Sequence, residues 1–112
     1  MADVVATDEF KGWYDSLGET ENEAVTRVVD LLEARGVALG FPHSSAINGS
    51  KHPLRELRVQ AGGRALRVFY AFDPKRQAVV LIGGDKTGQG DRFYDDMVPK
   101  AERIWEDYLA GQ

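Results

Sequence analysis

The pattern of apolar positions predicts helices near the start of the chain. An aromatic-rich stripe at i, i+3, i+4 and i+7 follows a cap at Thr7-Asp8 and stops at Gly18, as in a short amphipathic helix. A second stripe predicts a helix from about Glu21 to Arg35, closed by Gly36, and the short connection favours a helical hairpin. The stripes comprise Phe10, Trp13, Tyr14 and Leu17, and then Val25, Val28, Val29 and Leu32.

Alternation of apolar and polar positions predicts strands in the middle of the chain. Residues 54–60, 65–73 and 78–83 are separated by turns rich in Gly or Pro, so they should form an antiparallel meander. Residues 3–6 are a further β-prone run. Residues 40–53 carry Gly, Pro, Ser, Asn and His without a hydrophobic period, which predicts a long loop.

Pro99 divides the C-terminal pattern. Asp91 is expected to cap a short helical turn at residues 92–94, and a break is expected before Pro99. Proline lacks the N–H that a helix interior needs and is favoured at the first helical position. The final helix is expected to bury Ala101, Ile104, Trp105, Tyr108 and Leu109.

These elements fit one domain. A chain of 112 residues can bury one hydrophobic core, and no repeat or linker divides residues 1–112. The predicted fold is α+β, in the order β-α-α-β-β-β-α, with an antiparallel sheet, a helical hairpin and a C-terminal helix.

The composition argues against several classes of protein. The chain has no Cys and two His, so no metal and no cofactor is expected. His43 and His52 fall in the predicted loop and are expected to be solvated. Residues 1–10 do not resemble a signal peptide, and no segment has the roughly 20 apolar residues of a membrane helix. A cytoplasmic protein without a membrane partner is therefore expected.

Charge is unevenly distributed along the chain. The formal net charge is −4, but residues 51–92 hold nine basic and four acidic side chains. Because phosphate binding is largely electrostatic, this basic segment keeps a nucleic-acid partner open despite the overall acidity. The alternative is that these long cations solvate an exposed sheet face.

Strand alternation brings part of the basic segment together. The apolar residues of the first meander strand suit the core, so Glu56 and Arg58 should lie on the other face, which Arg67 should share. That face is predicted to be open to solvent, and the loop after the third strand brings Lys86 near it. Two arginines and a lysine around a carboxylate can bind a phosphodiester. The alternative is an exposed ion pair of little consequence.

Further RNA-binding candidates lie beside this set. Phe69 and Tyr94 are aromatic candidates on the same side, where either ring could stack on an unpaired base. Arg55 and Arg92 are the basic candidates.

The order and spacing of several short segments match a known family. From about residue 4 to residue 109, the chain resembles the phage-derived, HigB-like branch of the RelE/ParE toxin superfamily, the toxins of type II toxin–antitoxin pairs. The segments that carry the resemblance are F-x-x-W at 10–13, LRELR at 54–58, RVFY at 67–70, LIGGDK at 81–86 and AE at 101–102.

The resemblance implies a reaction and partners. Members of this family cleave messenger RNA on the translating ribosome, without a metal. The ribose 2′-hydroxyl attacks the adjacent phosphate and leaves a 2′,3′-cyclic phosphate and a 5′-hydroxyl. The resemblance also implies a helix-turn-helix (HigA-like) antitoxin as the cognate partner, with operator DNA contacted only through that antitoxin.

The resemblance implies roles for single residues. Arg67 holds and neutralises the scissile phosphate, Lys86 assists the leaving oxygen and Arg58 positions the backbone. Tyr94 corresponds to an aromatic residue near the C-terminus of RelE-type members. Glu56 stands where those members carry a lysine base; an orienting role is favoured for it, with proton acceptance as the alternative.

Since an exposed site is predicted, Arg67→Ala is expected to change stability by no more than about 1 kcal/mol.

Two other functions stay open. A ParE-like toxin of the same fold would inhibit DNA gyrase by binding it. A domain without toxicity would serve as an interaction or regulatory module, an alternative that the overall acidity keeps open.

Overall fold

The computed structural model describes residues 1–111, in which five strands and three α-helices form. The predicted α+β class and the order of the seven predicted elements are confirmed, and an eighth element, a short strand, lies in the predicted loop. The strands are β1 (Val4–Ala6), β2 (Ser44–Ala46), β3 (Arg55–Ala61), β4 (Arg64–Phe72) and β5 (Ala78–Asp85), and the helices are α1 (Asp8–Asp15), α2 (Glu19–Arg35) and α3 (Arg92–Ala110).

The sheet has the strand order β1-β5-β4-β3-β2. Strands β3, β4 and β5 form the predicted antiparallel meander. The N-terminal strand β1 pairs with β5 in parallel, so the sheet is mixed at this edge. Strand β2 pairs antiparallel with β3 at the other edge. Its sequence, Ser-Ser-Ala, has no apolar alternation, which is why the pattern did not predict it.

Helices cover both faces of the sheet. The first face packs against α1 and α2, through residues such as Phe10, Val25 and Leu32. The second face packs against α3, through Phe93, Ala101 and Trp105. The prediction of a face open to solvent is therefore wrong, because the apolar stripe of α3 lies on it.

Helix α3 runs without a break from residue 92 to residue 110 and contains Pro99. The predicted break before Pro99 is wrong, because apolar residues on both sides of the proline, such as Phe93 and Ala101, anchor one continuous helix on the sheet. Asp91 precedes the helix but makes no side-chain cap, whereas Thr7 caps α1 by accepting a hydrogen bond from the N–H of Phe10 at 3.1 Å.

Gly83 and Gly84 of β5 let side chains approach the sheet closely from its two faces. A Cβ on Gly83 would collide with the ring of Trp13, and a Cβ on Gly84 would lie 2.9 Å from the ring of Phe93. Gly84 pairs with Arg67 in the sheet. The start of α3 can therefore lie close over the part of β4 that carries Arg67.

The helices within residues 1–111 include none that is both long enough and apolar enough to cross a membrane.

Candidate functional site

Glu56, Arg58 and Arg67 lie together on the second face of the sheet. The register pairs Glu56 with Phe69, and Arg58 with Arg67, which confirms that the three charged residues share a face. Glu56 Oε1 lies 3.5 Å from Arg67 Nε, and Glu56 Oε2 lies 3.6 Å from Arg58 Nη1. The carboxylate therefore lies between two guanidinium groups.

Two of these charged groups are buried. Arg67 is 4% exposed and Glu56 is 5% exposed, whereas the side chain of Arg58 is 35% exposed. The predicted exposure of Arg67 is thus wrong, because α3 covers this part of the sheet. Arg67 Nη1 donates a hydrogen bond to the carbonyl of Leu66 at 3.0 Å, while its buried Nε has no hydrogen-bond partner among the described residues.

Two hydroxyl groups complete the surroundings of Glu56. Tyr94 Oη donates to Glu56 Oε1 at 2.7 Å, and Ser45 Oγ donates to Glu56 Oε2 at 3.0 Å. Burial, together with the hydrogen bond to Glu56 and its negative charge, raises the pKa of Tyr94 against the opposing effect of Arg67. Tyr94 is therefore a hydrogen-bond donor at neutral pH. Sequence reasoning missed Ser45, since only the pairing of β2 with β3 places it opposite Glu56.

A cleft of about 630 Å³ opens beside this cluster. Arg58 presents its partly exposed guanidinium there, while Arg67 is not part of the lining. Two carboxylates at the start of α3 line the cleft together with Glu56, so Arg58 is the single cation among its four charged lining residues in the described part of the chain. The lining residues are Phe41, Ser45, Ala46, Ile47, Asn48, Glu56, Arg58, Asp91, Tyr94 and Asp95.

Lys86 lies next to Tyr94. Its Nζ is 5.8 Å from the centroid of the tyrosine ring, and its backbone N–H donates to the carbonyl of Ala65 at 2.8 Å. This places a third cation near the cluster, beside Arg58 and Arg67, as the sequence predicts, although Lys86 is not among the residues that line the cleft.

The other RNA-binding candidates lie elsewhere. Arg55 is on the opposite face, where its Nε donates to Ser44 Oγ at 3.1 Å and Tyr70 Oη at 3.3 Å. Phe69 is 0% exposed and stacks on Phe93, so the prediction that it lies on an open face is wrong. Arg92 is exposed at the start of α3 and does not line the cleft.

One wall of the cleft is tied to α3. Ser50 Oγ donates to Glu102 at 2.8 Å, and His52 Nε2 lies 2.7 Å from Glu106. The expectation that His52 is merely solvated is therefore wrong. The hydrogen bonds from His52 and Lys51 lower the pKa of Glu106. These contacts hold residues 50–52 against α3, and this segment directly follows the cleft-lining residues Ile47 and Asn48.

No group of three or more His, Asp or Glu side chains in residues 1–111 is arranged to hold a metal ion.

The fold matches that of a solved toxin structure. A double arginine-to-alanine mutant of the Escherichia coli toxin RelE, in the free state, superposes with a TM-score of 0.62 over 89% of this chain and 98% of that chain, at 13% identity. At this identity the similarity concerns the fold alone. The fold is the one found in RelE.

Sequence comparison defines the family. Residues 12–106 match the family described as phage-derived protein Gp49-like, and the chain belongs to this family. A Mycobacterium tuberculosis protein named "Putative toxin HigB3" is 38% identical over 110 residues, which cover 97% of this chain and 95% of the relative. "Putative toxin HigB2" of the same organism is 34% identical over 105 residues, which cover 92% of this chain and 52% of that protein. The predicted HigB-like branch of the RelE/ParE superfamily is thus confirmed.

Proposed function

We propose that this protein is the toxin of a toxin–antitoxin pair and cleaves messenger RNA on the ribosome. The observation that carries this proposal is the position of Arg58. Its guanidinium borders the cleft beside Glu56 and Tyr94, and is about one third exposed. A planar guanidinium of this kind can bind two oxygens of one phosphate.

In the proposed reaction the ribose 2′-hydroxyl is the nucleophile. Its oxygen attacks the adjacent phosphorus and its proton passes to a base, while the bond from phosphorus to the 5′-oxygen breaks and that oxygen takes up a proton. The products are a 2′,3′-cyclic phosphate and a 5′-hydroxyl. Negative charge builds on the phosphate oxygens, and a preorganised cation is most effective there.

Arg58 neutralises this charge in the proposal, and Lys86 assists the leaving oxygen. Lys86 Nζ lies near the Tyr94 ring, which borders the cleft, and this role requires the long side chain to turn toward the bound phosphate. Tyr94 Oη donates a hydrogen bond to Glu56 in the free protein and is a further donor to the substrate.

Glu56 and Arg67 act as positioning residues in this proposal. The Glu56 carboxylate accepts hydrogen bonds from Tyr94 and Ser45 and lies near Arg58, so it orients groups around the cleft. Arg67 is buried behind it and neutralises its charge. Direct binding of the phosphate by Arg67, as the resemblance implies, requires α3 to move because this helix covers Arg67.

The partners follow from the same proposal. A toxin of this kind is held inactive by a cognate antitoxin, here a helix-turn-helix protein of the HigA type that carries the operator-binding function. The ribosome and its mRNA are then the targets, which places the action in the cytoplasm.

The test is induction of the protein in bacteria without its antitoxin. We expect protein synthesis to stop and mRNA fragments to accumulate with 5′-hydroxyl and 2′,3′-cyclic phosphate ends. Intact mRNA with stalled replication would indicate gyrase inhibition instead. Unimpaired growth at confirmed expression of the folded protein would indicate a non-toxic interaction module.

A further inference from the structure

Phe41 is a large aromatic residue that lies in solvent. It is 78% exposed, although single exposed apolar residues are common on protein surfaces and exposure alone carries little meaning. Its position is more informative, because the ring lines the cleft that also contains Glu56, Arg58 and Tyr94. An apolar ring therefore borders the site proposed to bind a phosphodiester.

The backbone on the C-terminal side of Phe41 is held in place. The N–H groups of His43 and Ser44 donate to the carbonyl of Gly40 at 3.1 and 3.0 Å, which closes the turn that carries the ring. The N–H of Arg58 donates to the carbonyl of His43 at 2.8 Å, which ties the turn to β3. The ring is thus presented from a fixed turn, and a ligand that contacts it need not order this backbone.

Phe41 and Arg58 also contact each other. The guanidinium carbon of Arg58 lies 5.6 Å from the centroid of the Phe41 ring, within the range of a cation–π interaction. Arg58 therefore lies near both a carboxylate and an aromatic ring. Proteins that bind single-stranded nucleic acid use this combination, in which aromatic rings stack on bases beside cations that bind the backbone.

We propose that Phe41 is the base-stacking residue of this cleft and that it receives an unpaired nucleobase of the RNA whose phosphate binds Arg58. This inference rests on the proposed function and adds the feature of the substrate that the cleft recognises. It replaces the role that the sequence suggested for Phe69, which lies in the core.

The test is a binding cycle with RNA that cannot be cleaved. A 2′-O-methyl hexanucleotide, and a set with one abasic position each, are titrated into the parent protein and into Phe41→Ala. At one position the abasic change should weaken binding to the parent by about 5- to 150-fold, the range known for base–aromatic stacking. Phe41→Ala should bind the intact RNA more weakly than the parent by the same factor. Its affinity should not fall further on the RNA that is abasic at that position.

Two further variants separate stacking from a general effect. Val37 is equally exposed, at 79%, and does not line the cleft, so Val37→Ala should bind like the parent. Phe41→Trp keeps an aromatic face and should retain binding, whereas Phe41→Leu keeps only an apolar surface and should behave like Phe41→Ala.

The proposal would be overturned if Phe41→Ala weakened binding by the same factor on the intact RNA and on every abasic RNA, because the two changes would then act independently. Absence of RNA binding by the parent protein would overturn it as well. If induced parent protein still produces cyclic-phosphate mRNA ends in either case, only the stacking role fails. If those ends are also absent, the proposed function fails with it. Unchanged RNA binding by Phe41→Ala, with loss of neutralisation by the antitoxin, would make Phe41 a protein contact instead.

Discussion

Arg67 and Glu56 form a buried ion pair on the face of the sheet that α3 covers. Taking two charges out of water is costly, and their mutual attraction repays this only when other polar groups complete the arrangement. Tyr94 and Ser45 do so for Glu56. The intact pair therefore adds little to the net free energy of unfolding, whereas the removal of one partner leaves the other charge buried without compensation and lowers stability.

Arg67→Ala should lower the free energy of unfolding by about 3–5 kcal/mol, because it leaves the Glu56 carboxylate buried with less compensation. This replaces the effect of no more than about 1 kcal/mol that an exposed site would give. The measurement is denaturant unfolding of the parent, Arg67→Ala, Glu56→Gln and the double variant.

The double variant is the control in this experiment. It removes both charges, so it should be more stable than the sum of the two single effects implies. Strict additivity, or a change below about 1 kcal/mol for Arg67→Ala, would contradict the buried pair.

At the level of residues, strand alternation correctly predicted that Glu56, Arg58 and Arg67 share one face. It could not predict burial, because burial depends on where α3 packs. Alternation also says nothing about side chains from distant segments. Ser45 and Phe41 lie in a stretch without hydrophobic period. Ser45 reaches the cleft through the pairing of β2 with β3, and a backbone hydrogen bond to β3 holds the turn that carries Phe41.

At the level of elements, α3 tolerates a proline because apolar contacts on both sides hold the helix. Pro99 cannot donate the hydrogen bond that a helix interior normally makes to the residue four positions earlier, here Asp95. Both residues are exposed, so water can reach the carbonyl that is left free. The local sequence predicted a break because it shows the cost of the proline but not the apolar contacts that hold the whole helix on the sheet.

Pro99→Ala should raise the free energy of unfolding by about 1–3 kcal/mol. An interior proline costs a helix about 3 kcal/mol, and the restriction it places on the unfolded chain offsets part of that. Denaturant unfolding measures the change, with Lys100→Ala on the exposed neighbour as a control expected to stay within about 0.5 kcal/mol. An unchanged or lower stability of Pro99→Ala would contradict this account of α3.

Asp73 links the turn between β4 and β5 to the end of α3. Its carboxylate accepts hydrogen bonds from the N–H groups of Lys75 and Gln77, from the Gln77 amide and from Tyr108 Oη at 2.8 Å. Burial raises the pKa of Asp73, but these hydrogen bonds outweigh it and hold the pKa below its ordinary value of 3.8. The charged form is therefore the one that stabilises the fold.

This lowered pKa predicts a pH dependence of stability. The contribution of Asp73 is fully present above the pKa of the unfolded chain and is lost as the pH falls through the lower folded pKa. Thermal melts between pH 7 and about pH 2 should show the parent losing its advantage over Asp73→Asn at the acid end. A difference that stays constant over this range would contradict the assignment.

At the level of the whole molecule, the basic segment does not form an open basic face. Arg67 is buried and Arg55 is bound on the opposite face, while Lys51 lies 3.2 Å from Glu106 and Arg64 lies 3.8 Å from Asp85. Positive charge at the cleft depends mainly on Arg58, with Lys86 nearby. Sequence-level charge counts could not show this, because they contain neither the pairing of charges nor their burial.

The most direct test of the account is therefore a comparison of Arg58→Ala with the parent and with Lys75→Ala, which removes an exposed cation outside the cleft. The measurement is the rate at which mRNA fragments with 2′,3′-cyclic phosphate ends form after induction, with thermal melts of the three proteins beside it. Arg58 is partly exposed and its loss leaves Arg67 beside Glu56, so Arg58→Ala should cost much less stability than Arg67→Ala. Cleavage should slow by a factor on the order of 10² or more, as when other preorganised electrostatic groups are removed, and Lys75→Ala should cleave like the parent. An Arg58→Ala protein that melts and cleaves like the parent would contradict the assignment of this cleft as the active site.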